Sequence, residues 1–334
     1  MTQPAHVQTS HPRRRLGRLA PHPESTRSRL KLDRFLVSGY ALTVPTAVDY
    51  LSHVGTWPMF GNDSLGDCTA AAAGHLREAW TNYGHGATVM TSDADVLSFY
   101  EACSGYVPGH PDTDNGAVMQ DCLDYWRKTG LAGDRILAFF QVNHRDLAQV
   151  KAALYLFGGV YVGVNIPTSA LDQFDAGKPW DYDTHADNSI EGGHCIHLGA
   201  MDATGLMTVT TWGRTQKVTP AWWARFTEEC WSAASMDWVN ASFISPEGLD
   251  TAALNAEYQR LNPGQPGPFP VAPVPPGPPP PPPPTPPAVS VADQALAAAV
   301  PQSWMGSRHI GGNATVCNAL KAWFTATGLK PGAQ

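Results

Sequence analysis

The sequence predicts an α+β fold, because helical and strand-like periodicities occupy separate halves of the chain instead of alternating. Segments 67–83, 92–104, 116–129 and 145–156 repeat apolar residues every three or four positions, whereas 159–165, 194–201 and 206–212 are rich in β-formers and bounded by Gly or Asp. The prolines limit where the core can lie: 16 of the 30 fall between Pro263 and Pro287, so a packed core has to come from the residues before them.

Taken in order, residues 1–43 form a basic, proline-broken arm. Eight Arg and Lys against two Asp and Glu in its first 34 positions set it apart from a chain whose net charge is −7. The arm reads as an extended leader with no bearing on the chemistry of the body. Residues 44–258 are the one stretch long enough to bury a sizeable core. Their acidic balance argues against nucleic acid as a partner, since phosphate contacts need clustered Lys and Arg.

Residues 259–288 read as a linker in polyproline II, and residues 289–334 as a small helical module. In that module Val316, Leu320, Trp323 and Phe324 share a helix face ahead of a capping Gly328. A module this short is expected to dock on a protein partner, another copy or the main domain. No apolar run approaches the roughly 18 residues of a membrane span, and no apolar stretch marks a secretory signal. The location expected from this is the cytoplasm of the producing cell, or association with a virion. Six cysteines without a CxxC pair suggest neither a disulfide scaffold nor structural zinc, and no cofactor is implied.

The segment Gly61-Asn-Asp-Ser-Leu-Gly-Asp-Cys68, followed by Thr69 and the run Ala70 to Ala73, reads as a turn entering a helix with Asp67 as N-cap. Cys68 then sits in the first turn, where unpaired amides and the helix dipole favour thiolate. Asn62 can set a side-chain amide beside the Cys68 backbone N–H, and two such donors make an oxyanion hole. In Glu191-Gly-Gly-His194, the paired glycines leave room for a substrate backbone and His194 is placed to act as a base at the start of a strand. His197, of opposite strand parity, reads as a packed residue, as does Cys195, and a metal shared by the two histidines is not expected. Asp112-Thr-Asp-Asn-Gly116 reads as a capped turn, lacking the Glu of a calcium loop. The tryptophans, including Trp57, Trp180, Trp212, Trp222, Trp223 and Trp238, read as core or seam residues.

An amide six residues before a helix-starting Cys, a Gly-His entering a strand, and a Trp-Gly pair soon after resemble the papain-like cysteine peptidase superfamily. Asn62 with Asp67-Cys68 is also similar to the bacteriocin-processing double-glycine peptidases. Trp57-Pro-Met-Phe-Gly-Asn-Asp, Lys128-Thr-Gly130, Leu156-Phe-Gly-Gly-Val160 and Asp172-Gln-Phe-Asp-Ala-Gly-Lys-Pro-Trp180 resemble papain-like proteins of bacteriophages and bacteria. The likeness covers about residues 44–245.

It implies Cys68 as nucleophile, His194 as base and Asn62 as oxyanion donor, acting on a peptide or isopeptide bond, with a wall peptide or a virion-associated substrate as the setting. The chain departs from the pattern at the third member. Thr210 and Thr211 stand before Trp212 where the family carries Asn or Asp, and Thr210 is taken as the candidate orienter, with Asp202 as an alternative. The competing expectation is a papain fold kept as a structural or adhesion protein of a phage particle. A transglutaminase-like or amidase activity on the same Cys-His core is a third.

Overall fold

A computed structural model describes residues 14–23, 31–32, 43–240, 244–246, 291–299 and 314–330, with isolated positions between 251 and 270. The proline-rich run and most of the basic arm lie outside the described residues. The chain divides into two compact units, Met1–Ala272 and Pro273–Gln334.

In the first unit, β1 (Val48–Asp49) leads by a turn-rich loop into α1 (Cys68–His85), followed by α2 (Asp93–Ser104) and α3 (Met119–Lys128). Helix α1 forms because an alanine run offers the best intrinsic propensity, and it stops at Gly86, which is left-handed with its N–H on the Asn82 carbonyl. Its first 14 residues, Cys68 to Thr81, are all buried, so it is the central helix of the domain. Ser92 caps α2 by accepting from the Asp95 N–H.

The remaining elements are β2 (Ile136–Val142), α4 (Leu147–Phe157), β3 (Val160–Pro167), α5 (Thr168–Asp175), β4 (Ile190–Met201), β5 (Met207–Thr211), β6 (Arg214–Val218), α6 (Pro220–Phe226) and β7 (Thr227–Ser235). The strands make one antiparallel sheet in the order β2-β7-β3-β4-β5-β6, with β1 also on β4. Helices first and an antiparallel sheet later is the α+β arrangement that the periodicity predicts.

The two halves are tied through buried side chains. The Tyr161 hydroxyl on β3 donates to the Thr69 carbonyl on α1 (2.8 Å), and the Trp80 indole N–H donates to the Phe157 carbonyl (2.7 Å). Trp180, Trp212, Trp222, Trp223 and Trp238 are all buried, as expected, while Trp57 is only partly so. No helix among the described residues is long and apolar enough to cross a membrane.

The second unit holds α7 (Val291–Ala299) and α8 (Ala314–Thr327), the latter closed by left-handed Gly328. Ala297 and Phe324 form its buried centre, with Leu320, Trp323 and Leu329 packed around them. The Val316 side chain lies outside the described residues.

Candidate active site

Cys68 is the first residue of α1 and Asp67 its N-cap, but the Asp67 side chain makes no capping hydrogen bond. Its carboxyl is wholly buried, and burial pushes it up to about 8 in spite of the Asn62 amide nearby. Behind the larger effect of burial, the Asp67 charge, when it forms, lifts the neighbouring Cys68 thiol further.

His194 is the fifth residue of β4, paired with Val164 on β3, so it lies inside the strand and not at its start as expected. Its Nε2 is 2.7 Å from the Thr211 hydroxyl, and its ring stacks on Trp212 with centroids 4.3 Å apart and planes at 18°. The hydroxyl beside His194 is therefore that of Thr211, and the expectation of Thr210 there is corrected: the Thr210 hydroxyl meets His197 Nδ1 at 3.1 Å. Strand parity explains the exchange, because consecutive residues of β5 face opposite sides of the sheet, as do His194 and His197 on β4. Asp202 accepts from the Thr204 and Leu206 backbone N–H groups, bracing its own turn.

Trp212 and Gly213 form the two-residue turn between β5 and β6, with φ of 45° and 76°. Positive φ at both positions is the type I′ geometry that matches strand twist. A tryptophan there carries backbone strain of order 1–2 kcal/mol. The ring it places on His194 is the structural return on that strain.

The arm is the feature that sequence reasoning missed. Instead of forming a leader apart from the chemistry, residues 14–20 cross the site in extended form. The Arg15 N–H donates to the Asn62 carbonyl (3.0 Å), the Arg18 N–H to the Gly193 carbonyl (3.0 Å) and the Leu19 N–H to the Ala117 carbonyl (3.0 Å), while the Ala117 N–H donates to the Gly17 carbonyl (2.8 Å). Arg14 pairs with Asp175 and lies over the Phe174 ring, and Arg15 pairs with Asp114 at 3.0 Å. Arg18 is buried, with its guanidinium among Glu228, Glu229 and Asn165.

Gly17 fits because no side chain could. A Cβ there would lie 1.8 Å from the Gly66 carbonyl oxygen, and one on Gly116 would lie 2.0 Å from the Gly17 oxygen. Against the larger effect of burial, the backbone amides of Cys195 and Gly17 pull the Cys68 thiol down. The arm is thus seated as a seal, its Gly17 carbonyl held by the Ala117 N–H.

The seal sets the electrostatics. Cys68 and His194 are both buried; burial raises the thiol to about 12, and burial followed by the Arg18 charge lowers the imidazole to about 3. The helix-start effect expected to favour thiolate is outweighed by desolvation, and at rest the Cys68 thiol and the His194 imidazole are both neutral. His194 Nδ1 has no hydrogen-bond partner among the described residues. Asn62 spends its side-chain amide on the Leu65 carbonyl (3.1 Å) and the Arg15 carbonyl (3.4 Å), so the arm also covers the candidate oxyanion donor.

His197 and Cys195 are buried strand residues, as the sequence suggests. Asp114, from the predicted capped turn, accepts from the Tyr100 hydroxyl (2.6 Å) and the Gly66 N–H (3.0 Å), bracing the loop ahead of Cys68. No group of three His, Cys, Asp or Glu side chains among the described residues is placed to hold a metal ion.

This architecture is the papain-like cysteine protease fold. Among solved structures the chain is similar to xylellain, a cysteine protease from Xylella fastidiosa, at 14% identity over 69% of this chain and 99% of that one, with a TM-score of 0.51. Weaker likenesses are to the Amb a 11 cysteine protease of ragweed pollen in its proform (15% identity, 59% and 68% covered, TM-score 0.44) and to the digestive procathepsin L 3 of Tenebrio molitor larval midgut (13%, 67% and 77%, 0.43). No family model and no curated protein matches the sequence.

Proposed function

We propose that the chain is a latent thiol peptidase whose nucleophile is Cys68. The observation that carries this reading is the His194 ring, fixed by Thr211 and Trp212, on the strand β4 against which the Cys68 helix packs. When the arm leaves, solvent reaches both groups and the penalties that hold the thiol up and the imidazole down are relieved.

His194 then takes the thiol proton and the sulfur adds to the substrate carbonyl carbon. The oxyanion is held by the Cys68 N–H and the amide of Asn62, which Arg15 no longer occupies. Collapse breaks the C–N bond, the amine leaves with the proton from His194, and a thioester remains. Water adds to it, giving a proton to His194, and the carboxylic acid departs as the thiol is restored.

Thr211 orients the imidazole without supplying the charge that a carboxylate gives to imidazolium, so turnover is expected to be slow for this class. A wall-peptide or virion-associated substrate rests on the sequence resemblance to phage and bacterial proteins. A second reading, a papain fold kept as a structural protein, is favoured by the same sealed and neutral pair. Trapping separates the two. The full chain with the arm displaced by Gly17→Val is incubated with a peptide thioester, and the expected result is an acyl adduct on Cys68, read by mass. A folded Gly17→Val protein that forms none leaves the scaffold reading standing.

A further inference from the structure

Next to the residue that seals Cys68, the chain has built a site for one particular side chain. Arg18 is 6% exposed, and its guanidinium is gripped from three directions. Glu229 Oε1 accepts from Nη1 at 3.2 Å, Asn165 Oδ1 accepts from Nη2 at 2.7 Å, and Glu228 also accepts from Nη2. Glu229 is itself 4% exposed and is held in place by the Trp231 indole N–H at 2.8 Å.

The backbone is shaped to make this possible. Consecutive strand residues normally face opposite sides, yet Glu228 and Glu229 meet the same cation. The register between β3 and β7 shifts here: Gly163 pairs with Glu229 and Val164 with Thr227, which leaves Glu228 as the extra residue of a bulge. Gly163 is the floor, since a Cβ there would lie 2.7 Å from Arg18 Cδ.

We propose that this pocket is the substrate-recognition site of the peptidase, and that its ligand is the arginine side chain of a peptide, for which Arg18 is the resident placeholder. The inference rests on the thiol peptidase reading for its chemistry and on the pocket for its substrate class. When the arm leaves, Glu229 loses its counter-charge while the Trp231 indole still holds it in place. A buried carboxylate that loses its counter-charge is strongly destabilised, so the open protein is poised to take another cation. Acceptors on both terminal nitrogens suit a planar, forked guanidinium rather than the point charge of an ammonium. The backbone agrees: the amide that carries this side chain donates to the carbonyl of Gly193, immediately before His194. A peptide with its arginine in the pocket therefore lays its main chain along the Cys68–His194 pair.

The test uses the full chain carrying Gly17→Val and two acylated peptides, one with arginine and one with citrulline, its uncharged isostere, at the same position. Affinity is read by fluorescence anisotropy and cleavage by mass. The arginine peptide is expected to bind at least about 30-fold more tightly, and Glu229→Gln to reduce that preference below about 3-fold. Glu228→Gln, at the half-exposed rim, is expected to reduce it about 5-fold and keeps the test valid should Glu229→Gln not fold. Equal affinity for the two peptides, while Glu229 remains necessary for the wild-type arm to protect Cys68, makes the pocket an anchor for the arm alone and overturns the proposal. Arginine-selective binding without any cleavage upholds the pocket and sinks the peptidase reading, so the two failures differ.

Discussion

Replacing Gly17 by valine should unseat the arm while leaving the fold beneath it intact. The first atom of any side chain at this position would sit 1.8 Å from the Gly66 carbonyl oxygen, which belongs to the loop fixed by Asp114 and cannot retreat without breaking that bond. Four backbone hydrogen bonds hold the segment, to Asn62, Gly193 and, twice, Ala117. At about 0.5–1.5 kcal/mol net for each, their loss favours the open state by about 2–6 kcal/mol. At about 1.4 kcal/mol per factor of ten, even the lower figure raises the open fraction about 30-fold. The assay is alkylation of Cys68 by iodoacetamide near neutral pH, followed by peptide mass. Cys103, the partly exposed thiol, serves as the internal standard, and Cys122, Cys195 and Cys230 as buried controls. A correctly folded Gly17→Val protein whose Cys68 is alkylated no faster than in the wild type would refute the idea that the arm controls access.

Three further outcomes follow from the same geometry. In the Gly17→Val background Thr211→Ala should lower kcat about fivefold, the worth of one net hydrogen bond, whereas Thr210→Ala should lower Tm through His197 and leave kcat within twofold, as steady-state rates and calorimetry would show. Acid should open the wild-type seal. His194 is held near 3 when closed and returns toward its ordinary 6.5 when solvated, so the open state binds the extra proton and closure weakens as pH falls from 6.5 toward 3; labelling of Cys68 by a disulfide reagent that reacts in acid should accelerate over that range, and His194→Gln should abolish the acceleration. Asp67 has the opposite sign: its folded value of about 8 lies above the ordinary 3.8, so its contribution is complete below 3.8 and is lost as pH rises through 8. Asp67→Asn should therefore flatten the fall of Tm between pH 5 and 8 by about one proton's worth of slope.

The placement of the candidate residues on their elements was largely legible because its signals are local. A turn ending in Gly-Asp before an alanine run places Cys68 at a helix start, and a β-rich segment after paired glycines places His194 on a strand. The choice between Thr210 and Thr211 was not legible in the same way, since it depends on the register of β5 against β4 and on the parity that the Trp212-Gly213 turn imposes. The protonation state of the pair was out of reach for a related reason: the local helix-terminus effect can be read from sequence, but the desolvation that overrides it comes from a segment 50 residues away, Gly17 lying over Cys68. The arm reads as an extended leader because composition says nothing about which carboxylates its arginines will find. Arg18 finds one 211 residues later.

That separation bears on how the molecule comes to be. The arm is synthesised before its partners Asn62, Ala117, Gly193 and Glu229, which span the helical half, β4 and the far strand β7, a strand complete only at Ser235. Domains generally form as units as they leave the ribosome. The seat of Arg18 is thus completed only after the helix that carries Cys68 and the strand that carries His194 have been made.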